Sequence, residues 1–179
     1  ASGLDCVRGL QALDAVLGET RGRSFDFGRD SVHWLVFACL ADWLPAVSRI
    51  LEIGTYDGQF TAILARLFPA AEITTVDLPE ADPILRSTYQ RDADAAYRRF
   101  VATRDANLAA PNIRFRQFNS AFLLDHVAGP FDLVWVDGGH LYPEVAWDLA
   151  VAHHLCRDGG HVLCDDVIPA ADGQRTAYV

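Results

Sequence analysis

Arg49–Gly58 reads R-I-L-E-I-G-T-Y-D-G, and its two halves follow different rules. Ile50 to Ile53 is a short apolar run, broken only by Glu52, of the kind a buried strand needs. Gly54 and Gly58 then bracket a turn, and Gln59 to Phe68 carries Phe60, Ile63, Leu64 and Leu67 at helical spacing. A strand, a glycine turn and a helix start make a nucleotide-binding corner. Glycine lets a ligand approach the backbone, and the first helical turn offers unpaired N–H groups. The dinucleotide fingerprint G-x-G-x-x-G needs two glycines one residue apart, whereas the pattern here is E-x-G-x-x-x-G. A second strand, Glu72 to Val76, ends in Asp77, where an acid can accept hydrogen bonds from a ribose diol.

Downstream, the same alternation continues. Asn112 to Phe118 alternates apolar and polar residues like a half-buried strand, and Asn119-Ser120-Ala121 can cap a helix over Phe122–Val127. Phe131–Val136, F-D-L-V-W-V, is apolar apart from Asp132, as a central parallel strand should be. It leads into Asp137-Gly138-Gly139-His140-Leu141-Tyr142-Pro143, a helix over Glu144–Cys156, a turn over Arg157–Gly160, and a strand over His161–Cys164 that ends in Asp165-Asp166. Strand and helix in strict alternation predict an α/β fold, a doubly wound parallel sheet with helices on both faces. Such sheets bind ligands outside the carboxyl ends of their strands. Glu52 to Gly58, Asp77, Asn119, Asp137, Asp165 and Asp166 all fall at that edge.

Upstream, Leu4, Val7, Leu10, Leu13 and Leu17 form a helical stripe, and Val32–Leu44 is apolar on most sides. A helix of the second kind is buried or covered by a partner. Residues 1–48 therefore read as a helical segment packed on a core spanning 49–179, one domain overall. His33 reads as a boundary or core histidine, and His153 and His154 as packing or surface residues; His126 and His161 have no recognisable partners. The segment from Leu78 to Asn112 is longer than a crossover helix requires. Its Arg86, Tyr89, Arg91, Arg98, Arg99 and Arg104 alternate with Asp92, Asp94 and Asp105, which reads as a solvated, salt-bridged face. The alternative is a lid with Tyr89 or Arg91 reaching over the pocket.

The net charge of −9 argues against an electrostatic grip on nucleic acid. All positive side-chain charge is arginine, so no lysine base or Schiff base is available in this chain. Cys6, Cys39, Cys156 and Cys164 show no C-x-x-C pairing and read as buried free thiols. No apolar run approaches the ~20 residues of a membrane span, which gives a soluble, cytoplasmic protein as the expectation. Three carboxylates from two neighbouring strand ends repel unless something positive lies between them. Oxygen donors without cysteine suit Mg²⁺, Ca²⁺ or Mn²⁺.

E-I-G-T-Y-D-G followed by T-V-D-L-P resembles the first two motifs of the class I S-adenosylmethionine-dependent methyltransferases. The resemblance implies that Gly54, Thr55, Tyr56 and Gly58 pass under the methionine part of the cofactor. Glu52 would orient the loop or the methionine amine, and Asp77, followed by Leu78, would hold the ribose. Asn119 and Ser120 inherit contacts to the adenine, although helix capping accounts for the same residues. Asp137, Asp165 and Asp166 resemble the acids of cation-dependent O-methyltransferases of the catechol and caffeoyl-CoA type. That likeness implies Mg²⁺ or Mn²⁺ held by these three, with Asp137 also facing the cofactor. His140 stands where the family often has a lysine base, and D-G-G-H is also similar to methyltransferases of natural-product sugar hydroxyls. An imidazole, with an unperturbed pKa near 6.5, can take a hydroxyl proton at neutral pH. The expected function is cation-dependent O-methylation of a small-molecule acceptor. A NAD-type oxidoreductase and a non-catalytic nucleotide-binding module remain as alternatives. Class I enzymes normally end with two further strands, and after the fifth strand only Val167–Val179 remains. Those strands lie outside the chain, or a partner covers the edge. With the apolar Val32–Leu44 helix, this gives a homodimer as the expected assembly.

Overall fold

The structure, a computed structural model, describes residues 3–44, 46–88 and 93–165. Five parallel strands form one sheet: β1 (Arg49–Ile53), β2 (Glu72–Asp77), β3 (Ile113–Gln117), β4 (Phe131–Val136) and β5 (Cys156–Cys164), in the order β3-β2-β1-β4-β5. Chain direction across the sheet reverses between β1 and β4, and the crevice at that switch point is where such sheets take ligands.

Three helices cover one face: α1 (Cys6–Arg21), α2 (Val32–Trp43) and α3 (Gln59–Leu67). Leu13, Leu17, Phe37, Phe60 and Ile63 from these helices pack with Ile50, Ile73, Ile113, Leu133 and Trp135 from four strands. Against the other face lie α6 (Leu123–His126) and α7 (Glu144–Leu155), where Leu123, Val151, Ala152 and Leu155 meet Leu51, Ile53, Val76, Val134 and Val136. Alternate residues of β1 and β4 thus feed opposite cores, which is why both strands read as nearly continuous apolar runs. α1 starts on Asp5, whose carboxylate accepts from the N–H groups of Val7 and Arg8, and ends on Gly22 in the left-handed conformation. It lies along α2, in which Trp34, Phe37, Ala38, Cys39 and Leu40 are buried while Val32, Val36 and Trp43 stay exposed. Much of the apolar surface of α2 is therefore covered within the chain.

Between β2 and β3, the arginine-bearing segment contains two helices, α4 (Pro83–Ser87) and α5 (Asp94–Asn107). Arg86 pairs with Asp94, as a salt-bridged surface predicts. Arg104 departs from that reading: it is buried, stacks on the Phe115 ring at 4.8 Å and pairs with Glu80 at 2.6 Å. Tyr89 and Arg91, the candidate lid residues, lie outside the described residues.

The largest difference from the sequence reading is at β5, which begins at Cys156 instead of after a turn over Arg157–Gly160. Pairing slips from Phe131–Cys156 to Leu133–His161, so these residues form a bulge that stays on the sheet. Gly159 supplies a φ of 71°, and a Cβ on Gly160 would lie 2.9 Å from the Asp132 carbonyl oxygen. Arg157 donates from Nε to Asp132 at 2.6 Å and anchors the bulge. The other Asp132 oxygen accepts from the Ser48 and Arg49 N–H groups and the Ser48 hydroxyl. Burial pushes this carboxyl up, but the Ser48 and Arg49 N–H groups, Arg157 and the Ser48 hydroxyl outweigh it and hold the pKa at about 2. Among the cysteines, Cys39 is buried as expected, Cys156 and Cys164 are half-buried, and Cys6 is exposed; all four are free thiols.

Candidate active site

Gly54 leaves β1 with φ 102°, and its N–H donates to the Val76 carbonyl at 2.9 Å. Next to it, the Asp137 N–H donates to the Ile53 carbonyl at 2.8 Å. Three strand ends therefore meet at one point, so tightly that a Cβ on Gly54 would lie 2.5 Å from the Asp137 carbonyl carbon. Tyr56 (φ 52°) and Gly58 (φ 71°) turn the loop back into α3, with the Gly58 N–H donating to the Thr55 carbonyl. Asp77 braces this loop from β2: one carboxylate oxygen accepts from the Tyr56 N–H and the other from the Leu78 N–H, each at 2.7 Å. The Asn107 amide of α5 donates to the Asp57 carbonyl from the far side.

Glu52 sits beneath the loop. It is 1% exposed, and its Oε2 accepts from the hydroxyls of Thr61 and Thr75, each at 2.5 Å. Thr55 Oγ1 lies 2.6 Å from Thr75 Oγ1, which extends this buried chain into the glycine loop. Burial pushes the Glu52 carboxyl up to about 8, against the two threonine hydrogen bonds, and the charges of Asp137 and Asp77 push the same way as burial. Burial thus favours the protonated carboxyl. Its observed partners place it as a support of the loop from within the core.

At the end of β3, Asn119 Oδ1 accepts from the Ala121 N–H at 2.9 Å, capping a single 3₁₀ turn over Ser120–Phe122. The Ser120 carbonyl accepts from the Trp147 indole at 3.2 Å. Beyond β4, Asp137, Gly138, His140, Cys164 and Asp165 line a small open cleft. His140 Nε2 lies 3.7 Å from Asp137 Oδ1. Asp166, the third acid of the sequence reading, lies outside the described residues.

Two side chains enter the site without having been assigned to it from sequence. His33, the second residue of α2, points Nδ1 at Asp165 Oδ2, 3.3 Å away. One donor atom each from His33, Asp137 and Asp165 lies within 4.8 Å of the others, an arrangement that fits a divalent cation. Nothing in the spacing of His33 advertises this role, because only the packing of α2 on the sheet brings it to the carboxyl edge. Asp148 of α7 is the second. It is buried under Gly138, where a Cβ would lie 3.0 Å from Oδ2. Burial raises its pKa, with Ser120 opposing and Glu144 reinforcing the shift. An acid in the middle of an otherwise apolar helix was the available signal.

Residues 51–167 match the family model described as a methyltransferase domain. The chain belongs to the methyltransferase-domain family. Among curated relatives of this methyltransferase domain is the O-methyltransferase hkm8 of Aspergillus hancockii, 30% identical over 136 residues. That match covers 74% of this chain and 47% of the relative, so the chain spans about half the length of the curated relative it matches. Solved structures share the fold. The O-methyltransferase TomG of Streptomyces achromogenes, in complex with SAM, aligns with a TM-score of 0.56 at 22% identity, covering 94% of this chain and 72% of TomG. Cofactor-bound Rv0187 from MTB aligns with a TM-score of 0.55 at 25% identity, covering 88% and 66%. SAH-bound PaMTH1 of Podospora anserina gives 0.52 at 24%, covering 87% and 62%.

Proposed function

We propose that this chain is the cofactor-binding portion of an S-adenosylmethionine-dependent O-methyltransferase whose acceptor is a small-molecule hydroxyl and whose reaction is assisted by a divalent cation. The observation that carries the reading is a convergence at one sheet edge. The strained loop Gly54–Gly58, the loop-bracing Asp77, and Asp137, Asp165 and His140 all surround the switch point between β1 and β4. Family membership and the O-methyltransferase relative support the same reaction class.

S-adenosylmethionine would supply an electrophilic methyl group over the glycine loop. Asp77 accepts a backbone N–H on each oxygen, which fixes its carboxylate at the end of β2, and a carboxylate there would accept from a ribose diol. Asp137 and Asp165, with Asp166 as a further candidate, would hold the cation, which would act as a Lewis acid toward the acceptor oxygen. His140 would receive the hydroxyl proton at Nε2 as the oxygen–methyl bond forms, and Asp137, 3.7 Å from that nitrogen, would offset the resulting charge. Leu141 and Tyr142, exposed beside His140, offer an apolar wall to an acceptor ring.

Transfer of a radiolabelled methyl group from S-adenosylmethionine to a panel of catechols, phenols and sugar glycosides tests this reading. The expected result is labelled ether product that disappears in excess EDTA and returns with Mg²⁺ or Mn²⁺. Full incorporation in EDTA would remove the cation, and labelling of amines alone would remove the oxygen acceptor.

A further inference from the structure

We propose that His33 is a nitrogen ligand of the divalent cation held by Asp137 and Asp165, and that this third donor makes the site favour Mn²⁺ or Co²⁺ over Mg²⁺. The inference rests on the cation-assisted reading above and adds a residue, a donor type and a selectivity to it.

Two neighbouring ligands of an octahedral ion with bonds of about 2.1 Å stand roughly 3 Å apart. His33 Nδ1 and Asp165 Oδ2 are 3.3 Å apart, and the set with Asp137 closes within 4.8 Å, so small rotations of the two carboxylates bring the three donors to ligand spacing, with substrate and water left to fill the other positions. Two carboxylates and a neutral imidazole also match the charge of a divalent ion.

His33 is held in place rather than left to swing. Its ring is wedged edge-on against Phe60 of α3 at 4.5 Å and tilted on Trp135 of β4 at 5.0 Å, and its side chain is only 13% exposed. Phe37, one turn along α2, packs on the same two aromatic rings. The loop before α2 is fixed as well. Arg23 grips Asp30 through two hydrogen bonds of 2.6 Å, Asp30 accepts from the Asp26 N–H, and Asp14 of α1 accepts from the Phe25 N–H. A ligand with its orientation set by packing costs little further ordering on metal binding.

Donor chemistry then sets the preference. Mg²⁺ takes oxygen donors and keeps several waters, whereas N/O sites bind first-row divalent ions with affinity rising from Mn²⁺ to Co²⁺, so a nitrogen donor helps Co²⁺ most and Mn²⁺ less. A nitrogen in the first shell therefore favours Mn²⁺ and Co²⁺ relative to a site built from acids alone.

The test uses the full chain and Mn²⁺ as the probe, with pulsed electron paramagnetic resonance to detect coupling to ligand nitrogen. The expected result is one bound Mn²⁺ with a ¹⁴N coupling that persists in His140→Ala and is lost in His33→Phe. His33→Phe keeps an aromatic ring between Phe60 and Trp135 but has no donor. Its Mn²⁺ affinity should fall at least tenfold, with a smaller change for Mg²⁺. If that variant does not fold, ¹⁵N-histidine labelling of His140→Ala decides the matter, because the coupling must then change to that of ¹⁵N. Bound Mn²⁺ without nitrogen coupling, or coupling lost in His140→Ala, overturns the role of His33 and leaves the cation reading standing. Wild-type protein that binds no Mn²⁺ overturns both.

Discussion

Gly54→Ala probes the junction on which the site depends. The new Cβ would penetrate the Asp137 carbonyl group, 2.5 Å from its carbon, and would lie 2.9 Å from the Gly138 nitrogen. These are backbone atoms, so no side chain can swing away. Relief requires β1 and β4 to part by about an ångström at their carboxyl ends, against ordinary contacts of 3.5–4.0 Å between carbons. That movement stretches the Gly54-to-Val76 and Asp137-to-Ile53 hydrogen bonds, now 2.9 and 2.8 Å, beyond useful length. Two such bonds contribute about 2 kcal/mol, and holding alanine at a positive φ costs about 1–2 kcal/mol more. The expected loss is about 3–4 kcal/mol of stability, read as a lower urea midpoint at unchanged slope. S-adenosylhomocysteine binding by calorimetry should weaken more than tenfold. Gly18→Ala is the control: nothing lies within 4 Å of its added Cβ in α1, so it should stabilise by about 0.5–1 kcal/mol. If Gly54→Ala unfolds at the wild-type midpoint and binds with wild-type affinity, the close approach of the two strand ends is refuted.

Three further outcomes follow from the same geometry. Glu52, protonated in the folded state up to about pH 8 but ionised above about 4.5 when unfolded, makes stability fall as pH rises through that window; Glu52→Gln should flatten the fall while keeping an acceptor for Thr61 and Thr75, as urea titrations from pH 5 to 8.5 would show. Asp132 has the opposite sign: its contribution is present above about pH 4 and is lost as pH falls toward 2. Asp132→Ala should cost on the order of 2 kcal/mol at pH 7 by releasing β1 from β4 and Arg157, and wild-type stability above pH 4 would count against those bonds. His140→Ala should lower the methyl-transfer rate by roughly 10²–10⁴-fold with little change in S-adenosylhomocysteine affinity, and an equal loss of both would make it a binding residue instead.

Periodicity and turn chemistry carried most of the fold. Each strand with an apolar run and a polar or glycine end was legible, because parallel strands buried on both faces leave that trace. Cys156–Gly160 was not, since a bulge and a turn use the same glycines and only pairing with Phe131–Leu133 separates them. At the site, the acids at strand ends were readable from their positions, but their partners were not. Glu52 shows why: its place on β1 suggests a ligand contact, yet its side chain points to Thr61 of α3 and Thr75 of β2 inside the core. His33 is the converse, a helix residue with no motif of its own that reaches the acids only through packing on Phe60 and Trp135.

Calorimetric titration of wild-type protein and Asp77→Ala with S-adenosylhomocysteine and with NAD asks whether S-adenosylmethionine sits on the glycine loop with its ribose at Asp77. S-adenosylhomocysteine should bind, NAD should not, and Asp77→Ala should weaken binding by about 1–3 kcal/mol. Equal affinity in the two proteins, or binding of NAD in place of S-adenosylhomocysteine, would contradict it.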